Sequence, residues 1–174
     1  MNTLEMKQKY SGSWLHSNAR ELCALSWLKL MGIEAEPTGH GTLSSELLPD
    51  YHKDAFDKFD LFSEDLAMFF EVTGTDYTKT MSAHRFSSPT LAVLKVKVDD
   101  AEYFGLEKHV MFVSVNDQQG EIRFLPCVEV KQYPLISYAA GESEYYGVPW
   151  EKWWQPFRAL VFLLKRKMKV RVDP

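Results

Sequence analysis

Two short apolar runs separated by a polar break dominate the region 57–73. The first run spans residues 59–62 and the second spans 68–72. Both are rich in aromatic or β-branched residues, and each is only a few residues long. The break Ser63-Glu64-Asp65 between them supplies a turn. This pattern predicts two β-strands joined as a hairpin, and the rest of the chain is organised around it.

Each predicted strand of this hairpin carries an acidic residue, which strands disfavour. These are Asp60 and Glu71. If residues 64–65 form a two-residue loop, Asp60 pairs with Phe69. Asp60 is then a diagonal neighbour of Glu71 on the same face, roughly 7–8 Å away at the backbone. A three-residue loop would place the acids on opposite faces. The same-face arrangement suits two carboxylates that bind one divalent cation.

An ordinary ion pair is the alternative explanation for Glu71. In the register set by a two-residue loop, Lys58 lies opposite Glu71. Residues in this position form cross-strand ion pairs without a metal. The hairpin by itself therefore leaves two alternatives, a metal site and a Lys58–Glu71 ion pair.

Length and composition indicate one globular domain with a sizeable core. The chain has 174 residues, of which 45% are hydrophobic and 25% are charged, as is usual for such domains. We expect a single domain over residues 1–174, with a Trp-rich C-terminal helical extension from about 137. The net charge of −4 argues against a wholly basic nucleic-acid-binding protein, but it allows a local basic groove.

Cysteine use and hydropathy favour the cytoplasm. Cys23 and Cys127 are isolated in the sequence, which is typical of a reducing compartment rather than a disulfide framework. The first residues lack the apolar core of a signal peptide. No apolar run approaches the roughly 18 residues that a membrane span requires. We therefore expect a cytoplasmic protein without a membrane partner.

Periodicity along the chain predicts an α/β fold with a mixed central β-sheet flanked by helices. Asn18 and Glu21 form a helix-starting pattern. The region 91–104 is ambiguous because its valines favour a strand, whereas its apolar spacing favours a helix, which we predict. The expected elements are a helix at 18–31, strands at 33–37, 59–62, 68–72, 109–115, 121–125 and within 127–136, helices at 91–104 and 157–167, and long loops at 37–56 and 141–147.

This order of elements resembles the PD-(D/E)XK nuclease superfamily. The resemblance covers residues 18 to about 125 and rests on a leading helix with Glu21, on Asp60, and on an acid eleven residues later in Phe69-Phe70-Glu71-Val72-Thr73. It implies a restriction-endonuclease-like fold that hydrolyses DNA phosphodiesters with Mg²⁺ (or Mn²⁺). It also implies that Asp60 and Glu71 bind the metal and that Glu21 is the acid some members carry on the first helix.

The chain departs from the family pattern at Thr73, where the family has a lysine. Threonine can hydrogen-bond a water but supplies no positive charge. The resemblance then implies that a lysine from elsewhere replaces the missing one. Lys97 and Lys79 rank first, ahead of Lys58, and Lys95 lies beside Lys97 in the sequence. The alternative is an inactive nuclease fold that binds nucleic acid or a protein partner. A homodimer is also open.

Two further patterns allow a structural and a functional interpretation. The tryptophans at 150, 153 and 154 could stack on bases, but we predict that they pack the C-terminal helix onto the sheet. The basic run at 165–171 could follow a phosphate backbone, but a solvated helix end is our interpretation. No histidine pair has zinc-ligand spacing, so we expect no zinc site.

Overall fold

The computed structural model describes residues 19–38, 58–74, 90–116, 120–137 and 144–172. These ranges contain three α-helices and eight β-strands. They are a helix at 19–30 (α1), β1 Glu36–Pro37, β2 Leu61–Ser63, β3 Met68–Gly74, β4 Thr90–Leu94, α2 Lys95–Tyr103, β5 Val110–Asn116, β6 Glu121–Pro126, β7 Leu135–Ser137, β8 Glu144–Pro149 and α3 Pro156–Val172.

The main sheet has five strands in the order β1-β2-β3-β5-β6. Strands β3 and β5 run parallel, whereas the other neighbours in the sheet are antiparallel. The chain between β3 and β5 includes β4 and α2, because parallel neighbours need a long crossover. This mixed sheet with its helices confirms the predicted fold class.

The two faces of the main sheet are covered by different elements. Face one carries Phe70 and belongs to a core cluster with Leu28 of α1 and Leu163 of α3. Face two carries Phe69 and belongs to a second cluster with Val98 of α2. Side chains alternate along a strand, so the odd-numbered positions of β3 face the side that α2 covers.

A second sheet has three strands in the order β4-β8-β7. A Cβ at Gly147 of β8 would lie 3.2 Å from Ile136 Cδ1 and 3.3 Å from Thr90 Cγ2, so the close packing of the three strands favours glycine there. The bounds predicted for the loop at 141–147 and for the strand within 127–136 were wrong. Residues Cys127–Gln132 form a 3₁₀ helix and β7 follows it.

The helix predicted at 91–104 starts later than expected. Residues Thr90–Leu94 are a strand that pairs with β8, and the helix begins at Lys95. Leu91 and Val93 are buried in the second core cluster. Their partner strand lies about fifty residues away, so a local window of sequence does not contain the contacts that favour the extended conformation.

The tryptophan segment packs against the main sheet, as predicted. The N–H of Trp154 donates to the carbonyl of Phe124 at 2.6 Å, and the N–H of Phe124 donates back at 2.9 Å. The Trp154 ring also meets Phe162 of α3 edge-on, with centroids 5.4 Å apart. The segment expected as a helical extension from about 137 therefore contributes β8 and an edge contact to the sheets before α3 begins.

The turn between β2 and β3 is longer than the two-residue loop we predicted. Residues Glu64–Leu66 form a 3₁₀ turn, and Ala67 follows in the left-handed region at φ 46°. Arg166 of α3 fixes this turn, since its guanidinium donates to the carbonyls of Leu66 at 2.8 Å and Ala67 at 3.3 Å. A connection of four residues has the same parity as one of two, so the facing of the side chains is unchanged.

None of the helices that the structure describes combines the length and apolarity that crossing a membrane would require.

Candidate active site

Asp60 and Glu71 are neighbours across the β2–β3 pair. Leu61 pairs with Phe70 and Phe62 pairs with Phe69, and Asp60 comes directly before β2. The predicted pairing of Asp60 with Phe69 was therefore wrong by two residues. Both acids lie on face two, the side that α2 covers, because each interacts electrostatically with Lys97 of that helix. Their carboxyl groups hydrogen-bond to each other.

The backbone orients the Asp60 carboxylate. Its Oδ2 accepts the N–H of Val72 at 2.7 Å, and the N–H of Asp60 donates to the carbonyl of Phe70 at 3.2 Å. A carboxylate held by a main-chain donor keeps one direction without a further side-chain partner. The side chain of Asp60 is thus aimed along β3 towards Glu71.

Lys97 completes the group from the first turn of α2. Its Nζ lies 2.9 Å from Oε2 of Glu71, and the two side chains are only 23% and 13% exposed. Nζ also donates to the carbonyl of Lys58. Glu71 therefore pairs with Lys97 rather than with Lys58, and the cross-strand ion pair that we gave as the alternative is not the one observed.

The protonation of this group follows from burial and mutual charge. Burial raises the pKa of Glu71 well above its ordinary value, and the neighbouring Asp60 raises it further. Burial also raises the pKa of Asp60, although Lys97 and the Val72 N–H oppose the rise. Burial lowers the pKa of Lys97, but Glu71 and Asp60 outweigh it and the pKa lies above its usual range. Without a cation, burial and the charge of Asp60 thus favour the protonated form of Glu71 beside a charged ammonium.

The remaining predicted site residues lie in several places. Thr73 is two residues after Glu71 in β3 and pairs with Ser114, so it lies on face two as well. Glu21 is buried at 4% exposure on α1, which packs against face one. Lys95 forms an ion pair with Asp99 at 2.5 Å. Lys79 lies outside the described residues, as does most of the loop predicted at 37–56.

Thr38 is a site residue that the sequence did not reveal. It lies directly after β1 and is 2% exposed. Its N–H donates to the carbonyl of Asp60 at 2.9 Å, and its hydroxyl donates to the carbonyl of Phe59 at 2.5 Å. Thr38 therefore fixes the backbone that carries Asp60. Only its place at the end of a predicted strand hinted at this contact.

Asp60 and Glu71 are the two described acids that could hold a divalent cation together. Within the described part of the chain, no cluster of three or more His, Cys, Asp or Glu side chains could hold a metal. Mg²⁺ is commonly held by one or two carboxylates and keeps several waters or substrate oxygens. Asp60 and Glu71 supply two adjacent carboxylates, which is the number that this kind of site requires.

A family model described as viral/archaeal nuclease matches residues 26–157. The chain belongs to the viral/archaeal nuclease family. The match spans β1 to β8 and includes the segments that carry Asp60, Glu71 and Lys97.

Two further comparisons find viral proteins to which this nuclease-family chain is similar. It is 25% identical over 101 residues to the uncharacterized protein D-244 of Sulfolobus spindle-shape virus 1, which covers 54% of this chain. The matched region is 41% of D-244, so the chain corresponds to less than half of that relative. The structure of D212, a nuclease from a fusellovirus, shares the fold with a TM-score of 0.57 and 18% identity over 98% of both chains.

Proposed function

We propose that this chain is a metal-dependent nuclease of the PD-(D/E)XK type that hydrolyses phosphodiester bonds in DNA. The observation that carries the proposal is the ion pair between Lys97 Nζ and Glu71 Oε2 at 2.9 Å, on the same face as Asp60. Two acids and one ammonium are the groups that this chemistry needs. DNA is proposed because the site resembles that of DNA-cleaving enzymes of this superfamily.

Asp60 and Glu71 would hold Mg²⁺ or Mn²⁺ in this proposal. A bound cation neutralises the phosphate and lowers the pKa of a coordinated water, so that a hydroxide-like nucleophile is available near neutral pH. The raised pKa of Glu71 favours its protonated form in the absence of metal, and binding of a cation would displace that proton. Metal affinity is expected to increase with pH for this reason.

Lys97 would take the place of the motif lysine that Thr73 replaces. The neighbouring acids keep the pKa of Lys97 above its ordinary value, so the ammonium is charged at neutral pH and does not accept a proton from water. Its role is therefore electrostatic. It would stabilise the negative charge that develops on the phosphate and orient the attacking water, while Thr73 supplies only a hydroxyl.

A cleavage assay on linear, branched and single-stranded DNA tests the proposal directly. We expect cleavage with Mg²⁺ or Mn²⁺ and none with excess EDTA. Asp60→Asn and Glu71→Gln keep the shape of each side chain but remove its charge, so both should abolish cleavage. The matched control is Asp65→Asn, on the turn between the same two strands. Cleavage that survives Asp60→Asn and Glu71→Gln would remove these residues from the site.

An inactive nuclease fold that binds nucleic acid is the second candidate, and Thr73 in place of the motif lysine favours it. An electrophoretic mobility assay on the same substrates separates the two candidates. Tight binding with no product under either metal would support the inactive fold. Cleavage that depends on Lys97 would exclude it.

A further inference from the structure

The outward face of α3 carries a row of apolar side chains. The row consists of four partly or largely exposed residues, namely Phe157 (77% exposed), Val161 (38%), Leu164 (44%) and Met168 (66%). The opposite face of the helix packs into the core through Leu163. The row is therefore not part of the hydrophobic core. Its side chains do not take part in the contacts that hold α3 against the sheet.

The spacing of this row is that of a coiled-coil seam. The four positions follow one another at intervals of four, three and four residues, which is the a/d repeat of a helix that packs against a second helix. At roughly 100° per residue they fall within about 60° of the helix circumference. A membrane-surface helix presents a broader apolar face, so the narrow seam favours a single partner helix.

The charge beside the seam has one sign. Helix α3 contains six basic residues and no acidic residue. Exposed Arg158, Lys165 and Lys169 follow one border of the seam. On the other border, Lys167 is already paired with Asp65 at 2.6 Å. Among the described residues, no carboxylate forms an ion pair with Lys165 or Lys169.

A second copy of α3 would be a poor partner for this seam. Pairing two such helices in either direction sets basic residues beside basic residues along the seam, and like charges at these flanking positions destabilise a coiled coil. A helix with acidic residues at the corresponding positions would instead form ion pairs with Arg158, Lys165 and Lys169.

We infer that the outward face of α3 docks an amphipathic helix of another protein, whose apolar seam is flanked by Asp and Glu. The docking face is defined by Phe157, Val161, Leu164 and Met168. Helix α3 lies over face one of the main sheet, whereas the acid pair lies on face two. A partner could therefore be bound while the candidate active site remains open to substrate.

Synthetic peptides test this docking face without knowledge of the natural partner. One helical peptide of three heptads carries leucine at a and d positions and glutamate at e and g positions. A second has lysine at the same e and g positions. We expect fluorescence anisotropy with the full chain to give at least about a tenfold lower Kd for the glutamate peptide, and a difference that shrinks as salt is added. Equal affinities would overturn the inference.

Surface variants distinguish binding at the apolar seam of α3 from binding that depends only on the overall charge of the protein. Leu164→Ser combined with Met168→Ser should weaken binding of the glutamate peptide at least about tenfold. The control Leu30→Ser changes a leucine that is 79% exposed on α1 and should leave the Kd unchanged. Lys165→Glu combined with Lys169→Glu should reverse the preference towards the lysine peptide. Unchanged binding in both double variants would show that α3 is not the docking face.

Two further experiments test whether a second copy of this chain or a lipid surface occupies the docking face instead. Sedimentation equilibrium of the protein alone should give the mass of a monomer. If the mass is higher, the double variant Leu164→Ser with Met168→Ser should have the same mass as the wild type. Self-association lost in that double variant would make a second copy the occupant and overturn the inference. Flotation with vesicles of phosphatidylserine and phosphatidylcholine should give no seam-dependent binding. Binding that the double variant abolishes would make a lipid surface the occupant instead.

Discussion

The ammonium of Lys97 lies 2.9 Å from the Glu71 carboxylate, although 26 residues separate them in the chain. The pair joins the first turn of α2 to the middle of β3, and Nζ also reaches the carbonyl of Lys58. A lysine on the following helix thus stands beside the second acid, while the strand position of the motif lysine is Thr73. This relationship makes the replacement of the motif lysine a testable idea.

Replacing Lys97 by methionine should remove most of the cleavage activity and leave the fold intact. The ammonium is a preorganised positive charge at the site, and loss of one such group typically costs about 10²–10³ in kcat. Lys95→Met is the matched control, because Lys95 lies two residues earlier and its ion pair is with Asp99. Single-turnover rates on DNA measure both variants. Equal rates for the two would assign the missing charge to another residue.

Replacing Glu71 by glutamine should stabilise the metal-free protein above the pH at which Glu71 ionises. Burial first, and then the charge of Asp60, raise the pKa of Glu71 well above its ordinary value, so the folded state binds this proton more tightly than the unfolded chain. The stability from the proton is complete below the unfolded pKa and is lost as pH rises through the folded pKa. Glutamine does not ionise, so it avoids this loss.

Thermal unfolding in EDTA measures the effect of Glu71→Gln. We expect a higher Tm for the variant than for the wild type at about pH 8, and a much smaller difference at about pH 4. Added Mg²⁺ should raise the Tm of the wild type only, since the variant lacks one carboxylate ligand. The exposed Glu34→Gln serves as the control and should change neither comparison. A lower Tm for Glu71→Gln at about pH 8 would show that the Lys97 pairing outweighs burial.

Replacing Thr38 by valine should weaken both the fold and metal binding. Valine keeps the shape of threonine but leaves the buried carbonyl of Phe59 without its hydroxyl donor, a change that costs roughly 1–3 kcal/mol. The backbone of Asp60 is then held less firmly, so Mg²⁺ affinity should fall. Urea unfolding and calorimetric Mg²⁺ titration measure the two effects. Thr38→Ser retains the hydroxyl and should restore both; if it restores stability alone, Thr38 does not position Asp60.

Cys127 should resist alkylation in the folded protein. Burial raises the pKa of its thiol to about 12, so almost none of the reactive thiolate is present near pH 8. Cys23 is only partly buried and should react first. Iodoacetamide labelling followed by mass spectrometry gives the two rates, and both cysteines should react fast in urea. Equal rates in the native protein would show that the Cys127 site opens readily.

The sequence correctly predicted that the two acids lie on the same face of the sheet, but it predicted the wrong register between the two strands. Alternation along a strand places Asp60 and Glu71 on one face for any connection of even length, and both the predicted two residues and the observed four satisfy this condition. The length of the connection depends on Arg166, which lies about one hundred residues away in the chain and binds the carbonyls of Leu66 and Ala67. No local pattern near the turn contains that contact.

The second sheet was the part of the fold that local patterns missed. Residues 90–94 are extended because they pair with β8, and apolar spacing in this segment fits a helix as well as a strand. The β7 and β8 strands are short, and β8 contains Gly147 in a close approach to its neighbours. Pairing between segments far apart in sequence decided the structure there, so propensity alone could not.

The sequence by itself determined the type of fold, the hairpin beside which Asp60 and Glu71 lie, and the absence of a lysine at Thr73. These properties follow from short-range alternation and from residue identity. Only the tertiary structure decided that Lys97 reaches Glu71, that Thr38 holds the Asp60 backbone, and that α3 leaves an apolar seam outside. Each of these depends on how α1, α2 and α3 pack on the sheet, and packing is set by contacts between residues that are distant in the chain.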